Sequence, residues 1–271
     1  MSDLHGDTVF SGSVPKLYER YLVPLIFLPY AADLVDRLPS GSLERVLEVA
    51  AGTGVLTREL ARALPERVTI VATDLNEAML KHAGELGAAR PVEWQQADAA
   101  ALPFPDESFD TVLCQFGVMF FPDKTKAFAE ARRVLRPNGI FLFSTWDRIE
   151  ENQFVDTVTK ALGSLFPNDP PRFHARVPHG YSDSAEIERD VLASGFGVPE
   201  ITTVAKESKG RSAREVAMAY CQGTPLRTEI EERDASLLGD ATVVAIKALR
   251  ERFGKDNLIG KIQAHIVKVV K

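Results

Sequence analysis

Residues 45–60, RVLEVAAGTGVLTREL, constrain what this chain can fold into more than any other stretch. A short apolar run, Val46, Leu47 and Val49, carries one acid, Glu48, near its end. A small-residue turn follows, Ala50-Ala51-Gly52-Thr53-Gly54, and apolar residues then return with helical spacing at Leu56, Leu60 and Leu64. The pattern is strand, glycine turn, helix. Glycines let a backbone pass close to a ligand, and a helix start adds unpaired N–H groups and a positive dipole end. A dinucleotide turn would read G-x-G-x-x-G/A. Here the third position is Thr57, and an acid just before the turn suits a cationic ligand better than a pyrophosphate.

The bulk numbers narrow the field. A chain of 271 residues can bury a sizeable core as one domain, and 45% hydrophobic with 26% charged residues is ordinary for a globular protein. A net charge of −6 without a basic stripe argues against a nucleic-acid surface. Cys114 and Cys221 are too few for a disulfide framework and lack metal-ligand spacing, so no metal is expected. The start, MSDLHGDTVF, does not read as a signal peptide. The apolar stretch 21–38 is interrupted by Pro24, Pro29, Asp33 and Asp36, which rules out a spanning helix. A reducing cytoplasm is the expected compartment.

Along the chain, residues 1–13 are expected to be mobile, and helical spacing begins at Val14 and runs to Leu38. Strands are expected at 67–73, 92–95, 109–115, 140–144, 200–206 and 262–269, and helices at 56–64, 124–135, 154–165, 182–195, 212–221 and 229–253. Asp74 follows a strand 20 residues after Gly54, where an acid in a β-α-β unit meets a ribose. Its other reading is a helix cap, but Asn76 can cap that helix instead. Asp98 is a turn residue or a ligand contact. Cys114, inside a strand, reads as an inert buried thiol. The turn Pro137-Asn138-Gly139 expects a positive φ at Gly139.

Taken together, the series E-V-A-A-G-T-G, Asp74, Asp98-Ala99 and L-P-F-P-D-E-S-F-D (102–110) resembles the class I S-adenosylmethionine-dependent methyltransferases. Two alanines before the first glycine are similar to the quinone-biosynthesis C-methyltransferase subgroup. The resemblance covers residues 43–146 and, loosely, 182–206. It implies an α/β fold, a Rossmann-like seven-stranded mostly parallel sheet with helices on both faces. It also implies S-adenosylmethionine as cofactor, with S-adenosylhomocysteine as product, and methyl transfer to a small molecule. One domain is expected: an N-terminal helical cap (1–40), a cofactor-binding core (41–147), a substrate-side insertion (148–181) and fold completion (182–271).

The implied contacts place Glu48, Gly52 and Gly54 by the methionine part, Asp74 on the ribose and Asp98 on the adenine amine. Gln115 and Phe116 face the reaction centre, and Ala50, Thr53, Leu75, Met79 and Ala99 complete the set. Tyr21, in the Y-x-x-Y pair Tyr18-Tyr21, either folds over the cofactor or packs in the core. The subgroup ends its fifth strand with an E-F-S type sequence. This chain has Trp146-Asp147, which points away from a quinone acceptor. If the reaction needs a general base, the candidates are Tyr18, His174, His179 and Asp147. The two histidines, His174 within the proline-rich run 167–178 and His179 just after it, read first as surface-loop residues. Missing base-flipping signatures leave small-molecule acceptors in front, with no nucleic-acid partner, no membrane insertion and a monomer or homodimer expected. Two other classes stay open, a cofactor-binding protein without methyltransferase activity and, at greater distance, a nicotinamide-dependent oxidoreductase.

Overall fold

A computed structural model of the chain describes residues 14–39, 41 and 43–271. The stretch 1–13, expected to be mobile, lies outside them. Seven strands form one sheet: β1 (Arg45–Val49), β2 (Thr69–Asp74), β3 (Glu93–Gln96), β4 (Phe109–Gln115), β5 (Leu135–Trp146), β6 (Glu200–Ser212) and β7 (Asp256–Val270). Their order is β3-β2-β1-β4-β5-β7-β6. β1 runs parallel to β2 on one side and β4 on the other, and the β2–β3 and β4–β5 pairs are also parallel. Strand order therefore reverses between β1 and β4, and the carboxyl ends there form the crevice in which open α/β sheets bind ligands. Parallel strands inside a sheet are covered on both faces, and Val46, Leu47, Val112, Leu113 and Leu142 are accordingly wholly buried. No helix among the described residues is long and apolar enough to cross a membrane.

Compactness divides the chain, expected as one domain, into two units. The first comprises the described residues to Phe27, with Trp146–Gly180 and Ala205–Gln263. The second comprises Leu28–Thr145, Tyr181–Val204 and Ala264–Lys271.

The second unit contains β1 to β4 and most of β5. Its core is aromatic on one side: Phe128 lies 5.1 Å from Phe143 and 5.4 Å from Phe141, and Phe141 lies 5.9 Å from Phe196. Helix Leu28–Asp36 buries Tyr30, Ala31 and Leu34, and the Tyr30 hydroxyl donates to the Val204 carbonyl at 2.8 Å. The turn before the buried part of β5 departs from expectation. Asn138 takes the left-handed conformation at φ 64°, not Gly139. A side chain at Gly139 would instead meet the Arg136 carbonyl oxygen at 2.8 Å, so that glycine serves close approach.

The first unit is mainly helical. Residues Tyr18–Phe27 wind as a π-helix around Pro24, which has no N–H to contribute to an ordinary helical ladder. Helices Gln153–Leu165, Ala213–Gln222, Leu226–Asp234 and Leu238–Phe253 bury Phe154, Ala217, Ile230, Ala245 and Leu249. The single helix expected over 229–253 is broken after Asp234, whose carboxylate accepts from the Ser236 N–H at 2.9 Å and starts a 3-10 turn. Such local side-chain bonding competes with helix continuation.

Candidate functional site

The glycine turn of the second unit is held from below by the strands. Ala51 N–H donates to the Thr73 carbonyl at 2.9 Å, and Gly52 N–H to Asp74 Oδ2 at 2.8 Å. Asp74 Oδ1 accepts from Asn76 N–H at 2.7 Å, while Asn76 caps the next helix through Ala78 and Met79 N–H. Asn76 does cap its helix, as expected, yet Asp74 is not thereby released. It ties the loop after β1 to the loop after β2. Enclosure pushes the Asp74 pKa up, and the two N–H donors pull against it. Each oxygen keeps one lone pair for a further donor.

Ala50, Gly52 and Gly54 all have positive φ, at 55°, 56° and 81°. The two glycines differ in purpose. A Cβ on Gly54 would meet Trp94 Cη2 at 2.8 Å and Ala83 Cβ at 3.3 Å, so its missing side chain is filled by the protein itself. A Cβ on Gly52 would meet only Met79 Cε, at 3.8 Å. The expectation that both glycines clear space for a ligand narrows to Gly52.

Glu48 is wholly buried at the end of β1 and accepts from Thr57 Oγ1 at 2.5 Å. Burial pushes its pKa up to about 8, against the Thr57 hydrogen bond and the nearby Arg58 charge. Thr57, which breaks the dinucleotide pattern in the sequence, is thus the partner that Glu48 requires. Sequence reasoning passed over it. The signal was a polar residue on the buried face of an amphipathic helix, three positions after Gly54. Arg58 was also missed: it clasps the turn by donating to the Thr53 carbonyl at 2.6 Å.

Across the crevice, Phe116 follows β4 with φ 51° and donates its N–H to Ser144. A side chain at Gly117 would strike Ala50 Cβ at 2.5 Å, which measures how closely the two loops approach. Gln115 is buried and Leu75 is 60% exposed. Asp98 behaves partly as a turn residue, with Oδ1 accepting from Ala100 N–H at 2.8 Å. Its Oδ2 has no hydrogen bond among the described residues. Ala99 lies in that same turn and is half-buried. Thr53 Oγ1 is buried with no partner among the described residues, an orphan that a bound polar group would satisfy. The open Gly52 position, the orphan hydroxyl and the acids at three successive strand ends fit a ligand carrying hydroxyls, an amine and a positive charge.

Tyr18, Tyr21, Asp147, His174 and His179 belong to the first unit. Tyr18 stacks on Phe27 at 5.0 Å, and the Arg20 guanidinium lies 5.0 Å over the Tyr21 ring. Asp147 Oδ2 accepts from Gln263 Nε2 at 2.6 Å and Oδ1 from Arg148 N–H at 2.7 Å, so its carboxylate is engaged structurally. The surface-loop reading of the histidines is overturned: His174 and His179 are 4% and 8% exposed. The short helix Phe173–Arg176 and the turns after it fold them inward. Burial pushes their pKa values down to about 3 and about 4. His179 Nδ1 lies 2.7 Å from the Asp147 carbonyl, which can only accept, so Nδ1 carries the proton. Thr224 Oγ1 gives its proton to the Tyr220 carbonyl and therefore accepts from His174 Nε2 at 3.3 Å. That leaves His174 Nδ1 an orphan acceptor. Cys114 is buried, and burial pushes its thiol pKa upward, as an inert thiol requires.

Comparison with known proteins bears on the family and the fold. Residues 47–143 match the methyltransferase domain family model. The ubiquinone/menaquinone biosynthesis C-methyltransferase UbiE of Escherichia coli is 36% identical over 170 residues, covering 56% of this chain and 66% of UbiE, a little under two thirds. The same figures hold for UbiE of Shigella boydii. Among solved structures, the YcgJ protein of Bacillus subtilis superposes with a TM-score of 0.58 at 20% identity, covering 89% of this chain and 97% of its own. Phosphoethanolamine N-methyltransferase 2 of Haemonchus contortus, solved with S-adenosyl-L-methionine, gives 0.61 at 17% identity over 100% of this chain and 60% of its own. At such identities these two speak for the fold. The sequence relatives speak for more: residues 47–143 carry a methyltransferase domain, and by motif and relatives the chain is similar to the class I S-adenosylmethionine-dependent methyltransferases.

Proposed function

We propose that this chain transfers the methyl group of S-adenosylmethionine to a small-molecule acceptor by in-line displacement. The observation that carries the reading is Asp74, which fixes Gly52 at 2.8 Å and keeps lone pairs for further donors at the switch point. In this reading Asp74 accepts from the ribose hydroxyls and Asp98 Oδ2 from the adenine amine. Glu48 and Thr53 lie toward the methionine part, and Gly52 leaves the room. Ala50, Gly54, Leu75, Met79, Ala99, Gln115 and Phe116 shape the remaining walls. The cofactor supplies an electrophilic methyl group with a good leaving group, so the protein's share of the work is positioning and exclusion of water.

The quinone acceptors named for the relatives are not carried over, because β5 ends here in Trp146-Asp147. Residues 148–181, beyond the resemblance, are the proposed source of acceptor specificity, and a cytoplasmic setting goes with the reading. The test is calorimetry with S-adenosylhomocysteine on the native chain and on Asp74→Ala. Native binding that weakens tenfold or more, about 1.4 kcal/mol, supports the reading. Binding of NAD(H) in place of S-adenosylhomocysteine overturns it. Tight binding with no turnover across acceptor panels would instead favour a cofactor-binding protein without the activity.

A further inference from the structure

The first unit contains a cavity of about 220 Å³ that none of the chemistry above uses. Three cations stand around it: Arg20 from the π-helix, and Lys209 and Arg211 from the end of β6. Glu215 is the one acid on its wall. Neither Arg20 nor Arg211 forms an ion pair among the described residues. Lys209 has only a loose contact with Glu207, 3.8 Å apart with both side chains well exposed, which holds it weakly. Gathering like charges costs free energy unless an anion offsets it.

The floor of the cavity is apolar. Leu25 and Val216 are 4% and 1% exposed, and Tyr21 presents a half-buried ring beneath Arg20. A Cβ on Gly210 would meet Val216 Cγ2 at 2.4 Å, so β6 and the next helix close together under the site. That helix, Ala213–Gln222, starts at the cavity wall and is capped by Ser212, whose hydroxyl accepts from Glu215 N–H at 3.2 Å. Its positive dipole end adds to the same field.

We propose that this cavity binds a small organic oxyanion, a carboxylate or phosphate monoester. Its charged group meets Arg20, Lys209 and Arg211, and its apolar body lies on Tyr21, Leu25 and Val216. Guanidinium groups suit planar or tetrahedral oxyanions because they donate in a fork. The proposal concerns the first unit alone and does not rest on the methyl-transfer reading.

The experiment is calorimetry of the full chain with phenyl phosphate and with benzoate, using benzyl alcohol as the neutral control. One or both anions should bind, and more weakly as salt rises, while the neutral probe does not. Whichever anion binds names the oxyanion class. The double variant Arg20→Ala/Arg211→Ala should weaken that binding at least tenfold, and Arg211→Glu should do the same; both alter exposed side chains, and an unchanged melting temperature checks the fold. No binding to the native chain up to about 10 mM, a Kd scale of about 3 kcal/mol, overturns the proposal. So does equal binding of the neutral probe, or binding that survives both variants. Displacement by S-adenosylhomocysteine in the native chain and the double variant alike would put the anion in the cofactor crevice, and overturns it as well.

Discussion

In the second unit burial displaces an acid at the strand ends, Glu48, whereas in the first unit it displaces two bases, His174 and His179. Both kinds are held neutral by loss of water, so their pKa values move in opposite directions. The backbone differs in parallel. Ala50, Gly52, Gly54 and Phe116 of the second unit hold positive φ around one crevice, with Gly87, Glu107, Asn138 and Gly195 elsewhere in that unit, while in the first unit the described residues with positive φ are Gly254 and Asn257, next to a helix end. Strained backbone persists where surrounding structure over-determines it, and it gathers where a ligand must be met. The second unit therefore concentrates strain and a displaced acid at the candidate site. The first unit spends its polar groups on internal hydrogen bonds and leaves its exposed cations by a cavity.

The comparison breaks most readily at Gly54. Gly54→Ala meets both a φ of 81° and Trp94 at 2.8 Å, and should cost on the order of 3 kcal/mol of stability. Gly52→Ala, with only Met79 at 3.8 Å, should leave the melting temperature closer to native and reduce S-adenosylhomocysteine affinity instead. Denaturant titration beside calorimetry checks both. Equal stability losses would mean that the two glycines do not divide the labour.

Next comes pH. His174 and His179 have folded pKa values of about 3 and about 4 against an ordinary 6.5. As pH falls below 6.5 the unfolded chain takes up protons that the folded chain refuses, so stability should fall toward pH 4. The loss should be about 3 kcal/mol for each histidine by pH 4, and hydrogen exchange resolved by segment should locate it in the first unit. His174→Leu should flatten that slope, and an unchanged slope would show that the histidine does not carry it.

Glu48 has the opposite sign. Its folded pKa of about 8 lies above the ordinary 4.5, so stability is complete below pH 4.5 and declines as pH rises to 8. Glu48→Gln should gain about 1 kcal/mol at pH 8 by keeping an acceptor for Thr57 without a buried charge. Above pH 8, where Glu48 is ionised, the same substitution should weaken S-adenosylmethionine relative to S-adenosylhomocysteine, because only the former carries the sulfonium charge. A loss of affinity equal for both would remove Glu48 from charge recognition.

The smallest effect belongs to a residue of the second unit away from the strained turn. Tyr30→Phe removes one hydrogen bond to the Val204 carbonyl and should cost ~1 kcal/mol by thermal denaturation, with no change in cofactor affinity. A large loss of affinity would mean that helix Leu28–Asp36 positions the crevice.

Much of the second unit is legible in the chain. Apolar runs near 46, 70, 112 and 141 bounded by small residues and acids are strands, because a parallel strand must be apolar on both faces. The order Glu48, glycine turn, Asp74, Asp98 follows from that regularity, since each acid sits at a strand end. Finer roles were not readable. Whether Gly52 or Gly54 faces open space depends on Trp94, which comes from a strand 40 residues away in sequence. Asn138 took the left-handed position because Gly139 was needed for its small size.

The first unit was harder, and for a physical reason. Its polar residues point inward or outward according to partners far along the chain: His179 meets the Asp147 carbonyl and His174 meets Thr224. No local period records such pairings, so a histidine in a proline-rich run looks exposed until the tertiary structure encloses it. The cationic cavity is of the same kind, joining Arg20 to Lys209 and Arg211 across most of the sequence. Sequence alone determined the sheet, the glycine turn and the row of acids, because repeating burial and backbone geometry are written locally. Tertiary structure alone decided which of those acids is neutral, which glycine is open and which side chains are buried, because desolvation depends on every neighbour at once.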